Sequence, residues 1–228
     1  MNPYQWAVGY KEISAPTNER SMIATLLPAA AFGNKVPLLI PQGLPPEEAA
    51  RTASLIAANF NAIAFDFVLR QKLQGQTINL FILEQLPVIA PARFNEPLPA
   101  AFAKAMRAAD LMNGHHPNPT VVDFVVPQVL ALSYTAHDMA PFARDLGYLD
   151  AAGQVLPPFV WNEEERRARL AALDALFFYL YGLNADDAAY ILDTFPIVRD
   201  QDIKAFGRYR TKEDILALLG KLGTKQLP

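Results

Sequence analysis

The chain has 228 residues, of which 52% are hydrophobic and 19% charged, with a net charge of −3 and no cysteine. That length suffices for one large domain or two small ones, and the composition excludes a disordered tail, a coiled coil and a disulfide scaffold. The lack of cysteine removes thiolate catalysis, Cys-type zinc sites and iron–sulfur clusters. No run of about 18 apolar residues escapes polar interruption, which argues against a membrane span. Met1 to Lys11 lacks the basic-then-apolar pattern of a secretory signal, so the expected address is cytoplasmic.

Trp6 to Ile13 has an aromatic bias and predicts a strand, interrupted at Pro16. Ser21 to Leu27 is a second short apolar run, stopped by Pro28. Phe32-Gly33-Asn34-Lys35 signals a turn into Val36 to Ile40, where Pro37 argues for an edge strand or an irregular one. Pro45-Pro46-Glu47-Glu48 then opens a helix, with proline and acids suited to a first turn. Leu55, Ile56, Ile63 and Val68 carry it at near-helical spacing to about Arg70 or Gln74, and Gly75 ends it. Ile78 to Leu83 is a short apolar segment closed by Pro87.

Leu98 to Met112 predicts a helix ending at Asn113-Gly114, followed by a loop through His115, His116 and Pro119. Thr120 to Val126 fits a strand or the approach to a helix. Val129 to Leu146 predicts a helix that Pro141 kinks or restarts, and Gly147 to Pro158 is a connector. Asn162 with Glu165 is a capping signature, and Leu170, Leu173, Leu176, Phe177 and Leu180 then form an apolar face up to Gly182. Asn184 with Asp187 opens the next helix, and Thr211 to Leu222 forms the last. Together these elements predict an α+β fold. A strand-rich part with a long helix spans residues 1–90, and a mainly helical part spans 91–228.

Charge is unevenly placed. Residues 1–80 carry +1, residues 81–195 carry −7 and residues 196–228 carry +3. A nucleic-acid binder needs cations along a phosphate track, which the two ends can supply and the middle cannot. A mixed surface with a solvated acidic middle explains the same numbers.

Most catalytic constellations are missing. No Gly-x-Gly-x-x-Gly, Walker-type Gly-Lys-Ser/Thr or Gly-x-Ser-x-Gly occurs. His115 and His116 have no acid close by in their loop and fit an exposed proline-rich turn better than a metal site. His137-Asp138 fits a hydrogen-bonded structural pair in an apolar helix, Asp186 and Asp187 fit capping, and Tyr179, Tyr181 and Tyr190 fit the core.

Four ordered segments carry a family resemblance. They are Trp6 to Ile13 with Thr17 to Ala24 and Leu27-Pro28; Asn61 and Phe65-Asp66-Phe67 with Arg70, Lys72, Gly75, Asn79, Phe81 and Gln85-Leu86-Pro87; Asp138 to Ala143; and Leu180 to Leu183 with Tyr190 to Pro196 and Tyr209-Arg210-Thr211-Lys212. In order and spacing they resemble the C-terminal region of large bacterial adenine-specific DNA methyltransferases. These are the type IIG restriction-modification enzymes and related phage-defence methyltransferases. The resemblance implies a target recognition domain that reads double-stranded DNA and docks on a methyltransferase catalytic domain. In such enzymes the catalytic half binds S-adenosylmethionine and holds the flipped adenine with an Asn-Pro-Pro-Tyr motif. Asn2-Pro3-Tyr4 lacks one proline of that motif, so no cofactor and no catalytic residue is expected in this chain.

Within that resemblance the DNA-binding candidates are residues whose side chains hold phosphates or read base edges. Asn18 and Arg20 lie in a polar cluster between strand-like runs, and Asn34 and Lys35 lie in the glycine turn. Arg70, Lys72 and Gln76 follow the long helix, while Arg208, Arg210 and Lys212 form the densest basic stretch, interleaved with Tyr209. Each also has a structural explanation, such as a turn capped by Asn18 or a last helix anchored by Arg210. Residues shared by enzymes that read different sequences belong mostly to scaffold or phosphate contacts. The alternative function is a helical scaffold or protein-interaction domain, its acidic middle docking on the catalytic domain or a defence partner.

Overall fold

The computed structural model describes residues 2–15, 17–112 and 117–223. Pro16, Asn113-Gly114 and His115-His116, which figured in the expectations above, lie outside the described residues. The architecture is α+β, with a small antiparallel sheet at the N-terminus and helices thereafter.

Strands β1 (Trp6–Tyr10), β2 (Ala24–Pro28) and β3 (Leu38–Leu39) form a sheet in the order β2-β1-β3. Val8 pairs with Leu26 on one side and Leu39 on the other. Every residue of β1 is buried, because β1 is central. Pro37 directly precedes the outer strand β3, where its missing N–H breaks no ladder bond, and its carbonyl accepts from Tyr10 N at 3.2 Å. A Cβ at Gly9 would meet the side-chain ends of Leu27, Val36 and Leu38 together, all three of which would have to give way.

The long helix is two helices. Helix α1 (Pro46–Asn61) ends before Ala62, which is extended, and α2 (Ile63–Lys72) sets off at 63° to it. No glycine or proline marks the break. Instead, Asn61 donates to Ala24 O at 2.7 Å and to Ala57 O at 2.8 Å, and its Oδ1 accepts from Ala24 N at 3.0 Å. The free N–H at the start of α2, on Ile63, is satisfied by Asp174 Oδ1 at 2.7 Å. Tertiary partners therefore replace the local bonds a continuous helix would keep. Ala49, Ala50, Ala53, Ala57 and Ala58 give α1 a buried small-residue face, which lets it approach the sheet and the later helices closely.

Helix α3 (Leu80–Leu83) is short and capped by Asn79, whose Oδ1 accepts from Ile82 N at 3.0 Å. Helix α4 (Ala100–Ala108) stops short of the expected end at Met112, where Asp110 adopts a positive φ of 54°. Of the two alternatives for Thr120 to Val126, the helix is found. Helix α5 (Val121–Ser133) starts at a capping box of Thr120 and Asp123 and runs through Pro127. Pro141 restarts rather than kinks: α6 (Ala140–Asp145) follows a 3-10 turn at His137–Met139. His137 and Asp138 are exposed in that turn and form no buried pair, which corrects the reading of an apolar helix there.

Helix α7 (Glu163–Leu180) and helix α8 (Ala185–Asp193) begin at the expected caps, Asn162 and Asn184. Helix α9 (Pro196–Phe206) was not foreseen, and it ends at Gly207 in the left-handed region, φ 72°. Helix α10 (Arg210–Leu222) closes the described chain and packs on α7. The buried cluster is continuous from Tyr4 to Leu222, with α1 packed on α5 and α6, and α2 on α7 and α8. Tyr190 is 66% exposed rather than in the core, its ring edge-on to Phe67. No single helix among the described residues is long and apolar enough to cross a membrane. Helices α1 and α2 reach that threshold only together, across their bend.

Two phenols report on this packing. Tyr181 donates to Pro87 O at 2.9 Å and Tyr209 to Leu192 O at 2.9 Å. Burial pushes both up to about 12, aided at Tyr209 by Asp202 and opposed at Tyr181 by the hydrogen bond with Asn59. Because the folded value exceeds the unfolded one of 10.0, their stabilising contribution is intact below pH 10 and is lost as pH rises toward 12. Alkaline denaturation series should show stability falling across that window, with a shallower fall in Tyr181→Phe. An identical fall in the variant would contradict the assignment.

Candidate nucleic-acid interface

The N-terminal candidates are gathered by backbone pairing. Beyond β1 the chain continues between two neighbours: Glu12 N donates to Lys35 O at 3.1 Å, and Ile78 N donates to Glu12 O at 2.8 Å. Ser14 N donates to Gln76 O at 2.6 Å, and Ile13 bridges Thr77. Segments 34–35 and 76–78 thus flank residues 12–14 at one end of the sheet. Asn34, Lys35 and Gln76 are exposed there, and Lys72, also exposed, lines a groove with Asn79, one residue beyond Ile78. Lys35 reaches Glu12 at 3.0 Å but stays 59% exposed, where such a pair is worth little.

The loop at 17–21 is fixed from behind. Asp66 in α2 is buried and accepts from Ser21 N at 3.0 Å and Met22 N at 2.9 Å. Arg70, one turn on, pairs with Asp66 at 3.4 Å and donates to Asn18 O at 2.8 Å and Glu19 O at 3.0 Å. Burial lowers the Arg70 guanidinium from its ordinary value, opposed by Asp66. Arg70 is therefore inside, and its visible work is to hold the loop. Asn18 is half-buried, its Nδ2 donating to Ser14 Oγ at 3.4 Å, which is turn capping. Arg20 pairs with Asp174 at 3.1 Å. Burial nevertheless raises the Asp174 carboxyl above its ordinary value, because the cost of desolvation exceeds the pull of Arg20 and the Ile63 N–H.

The two ends of the sequence meet at Phe195. Its ring carries the Arg70 guanidinium at 4.1 Å and that of Arg20 at 5.9 Å. Two residues earlier, Asp193 holds Lys212 at 2.7 Å. The remaining C-terminal candidates are also paired: Arg208 with Glu213 at 2.7 Å, and Arg210 with both oxygens of Glu164 at 2.5 and 3.1 Å. The Arg210 pair lowers the Glu164 carboxyl and raises the guanidinium from their ordinary values. It ties α10 to the start of α7, the anchoring role expected of Arg210. A cleft of about 430 Å³ beside it gathers Arg20, Arg166 and Arg167, but Glu19, Glu163, Glu164 and Asp174 line it too, so its carboxylates outnumber its guanidiniums.

Sequence reasoning missed the neighbourhood of α3. Gln71, Lys72 and Gln74 at the end of α2 face Asn79, Phe81 and Gln85 across an open groove of about 480 Å³ that no carboxylate lines. The clustered glutamines are the available signal: the sequence points to Lys72 and Gln76, with Gln74 nearby, but not to Gln71 or Phe81 as contacts. Compared with family models, curated proteins and solved structures, the chain matches none.

Proposed function

We propose that this chain is a DNA target-recognition module of a bacterial adenine-specific DNA methyltransferase of the restriction-modification or phage-defence type, acting in the cytoplasm. In this reading it binds double-stranded DNA and docks on the catalytic domain, which holds S-adenosylmethionine. The observation that carries the reading is the convergence of Asn34, Lys35 and Gln76 at one end of the sheet, with Lys72 lining a groove beside Asn79 next to it and a polar loop that Asp66 and Arg70 fix. A rigid display of cations and amides is what phosphate holding and base reading require. The buried Arg70 and the paired Arg210 serve as scaffold, while Lys35 and Lys72 serve as phosphate contacts.

Anisotropy of a labelled duplex, measured from about 50 to about 200 mM salt, tests this division of labour. Lys35→Ala and Lys72→Ala should each flatten the slope of log K against log salt by about one. Unchanged slopes in both variants would remove the sheet end from the interface.

A second reading has its own observation. Val160 is 90% exposed, and Trp161 beside it is exposed under the Arg166 guanidinium at 3.7 Å. An apolar pair just before the acidic first turn of α7 suits a scaffold that docks a catalytic domain or a defence partner. Copurification with a methyltransferase catalytic domain that is lost in Trp161→Asp, with duplex binding intact, would favour it.

A further inference from the structure

Phe81 is 72% exposed on a helix that is otherwise well anchored. Asn79 caps α3, Gln85 Nε2 donates to Phe81 O at 3.1 Å, and Leu83 and Leu86 are buried beneath it. The exposed ring is therefore held out by a fixed backbone rather than carried on a loose loop. Around it the groove offers Lys72, which makes no ion pair among the described residues, and the side-chain amides of Gln71 and Gln74. A protein partner with a basic surface finds no carboxylate in this groove to pair with. A nucleic acid finds a cation for its phosphate, amides for its base edges and an aromatic face for a base.

Resting on the reading of the chain as a DNA-recognition module, we propose that the groove between α2 and α3 is its base-contacting surface. Phe81 inserts at a base step of the duplex and stacks on an exposed base face. Lys72 holds the adjoining phosphate, and Gln71 and Gln74 face the base edges. Insertion of an apolar ring separates neighbouring bases, so it is easier where stacking is already weak.

The test compares binding of the whole chain to a fully paired duplex and to the same duplex with one abasic site, by anisotropy at low salt. The unsubstituted chain should prefer the abasic duplex. Phe81→Ala should weaken binding to the paired duplex about tenfold and abolish the preference. Leu80→Ala serves as the control, since Leu80 is exposed next door but lies outside the groove. It should bind like the unsubstituted chain. Both positions are exposed, so neither substitution removes core packing. Salt-sensitive duplex binding that Phe81→Ala leaves unchanged would overturn the groove assignment and leave the module reading standing. Equal losses in Phe81→Ala and Leu80→Ala would also overturn it. No duplex binding by the unsubstituted chain would overturn both.

Discussion

Asp66→Ala is expected to destabilise the protein by about 3–5 kcal/mol, the cost of breaking a buried ion pair by removing one partner. The substitution strands Arg70 inside the protein with only the neutral carbonyls of Asn18 and Glu19 as acceptors. It also deprives Ser21 N and Met22 N of their acceptor. Arg70→Met should cost less. Asp66 would keep the Ser21 and Met22 N–H groups as donors, whereas a guanidinium left without its carboxylate cannot shed its charge. Urea denaturation followed by circular dichroism gives both values. A loss below about 1 kcal/mol in Asp66→Ala would mean that the loop is held by something else. The functional corollary is that loop 17–21 loses its fixed shape, so DNA binding should fall in Asp66→Ala even where the protein stays folded.

Trp6→Ala is expected to cost a similar amount, about 3–5 kcal/mol. Trp6 is fully buried in the central strand, stacked on Tyr4 at 5.0 Å and edge-on to Phe142 at 5.3 Å. Its Nε1 donates to Asp145 Oδ2 at 2.7 Å, which joins the sheet to α6. Removing the ring leaves a cavity between sheet and helix together with an unmatched carboxylate. Trp6→Phe keeps most of the packing and loses the hydrogen bond, so about 1–2 kcal/mol is expected. The same denaturation series decides: equal losses in the two variants would assign the effect to the hydrogen bond rather than to packing.

What the sequence made legible was local chemistry. The caps at Asn162 and Asn184, the edge strand after Pro37 and the stop at Gly182 depend on residues within a few positions of one another, and the structure has them where expected. The break between α1 and α2 depends instead on Asp174, which satisfies Ile63 N from another helix, and no local breaker announces it. Helix α9 starts at Pro196 behind Phe195, with no side-chain cap and no acid in its first turn, so no capping signature announces it. The candidate site divides in the same way. That Lys35, Lys72 and Gln76 are exposed follows from their polar surroundings, but the burial of Arg70 is decided by Phe195 and Asp66. Of the residues that read as one basic stretch, Arg210 and Lys212 found carboxylates far away in sequence, Glu164 and Asp193, while Arg208 pairs with Glu213 five residues on.

The salt dependence of duplex binding by the unsubstituted chain tests the central claim most directly. With at least Lys35 and Lys72 on phosphates, log K should fall with log salt at a slope of about −2 or steeper. A flat response, or no binding to any duplex at micromolar protein, would contradict a DNA-reading role.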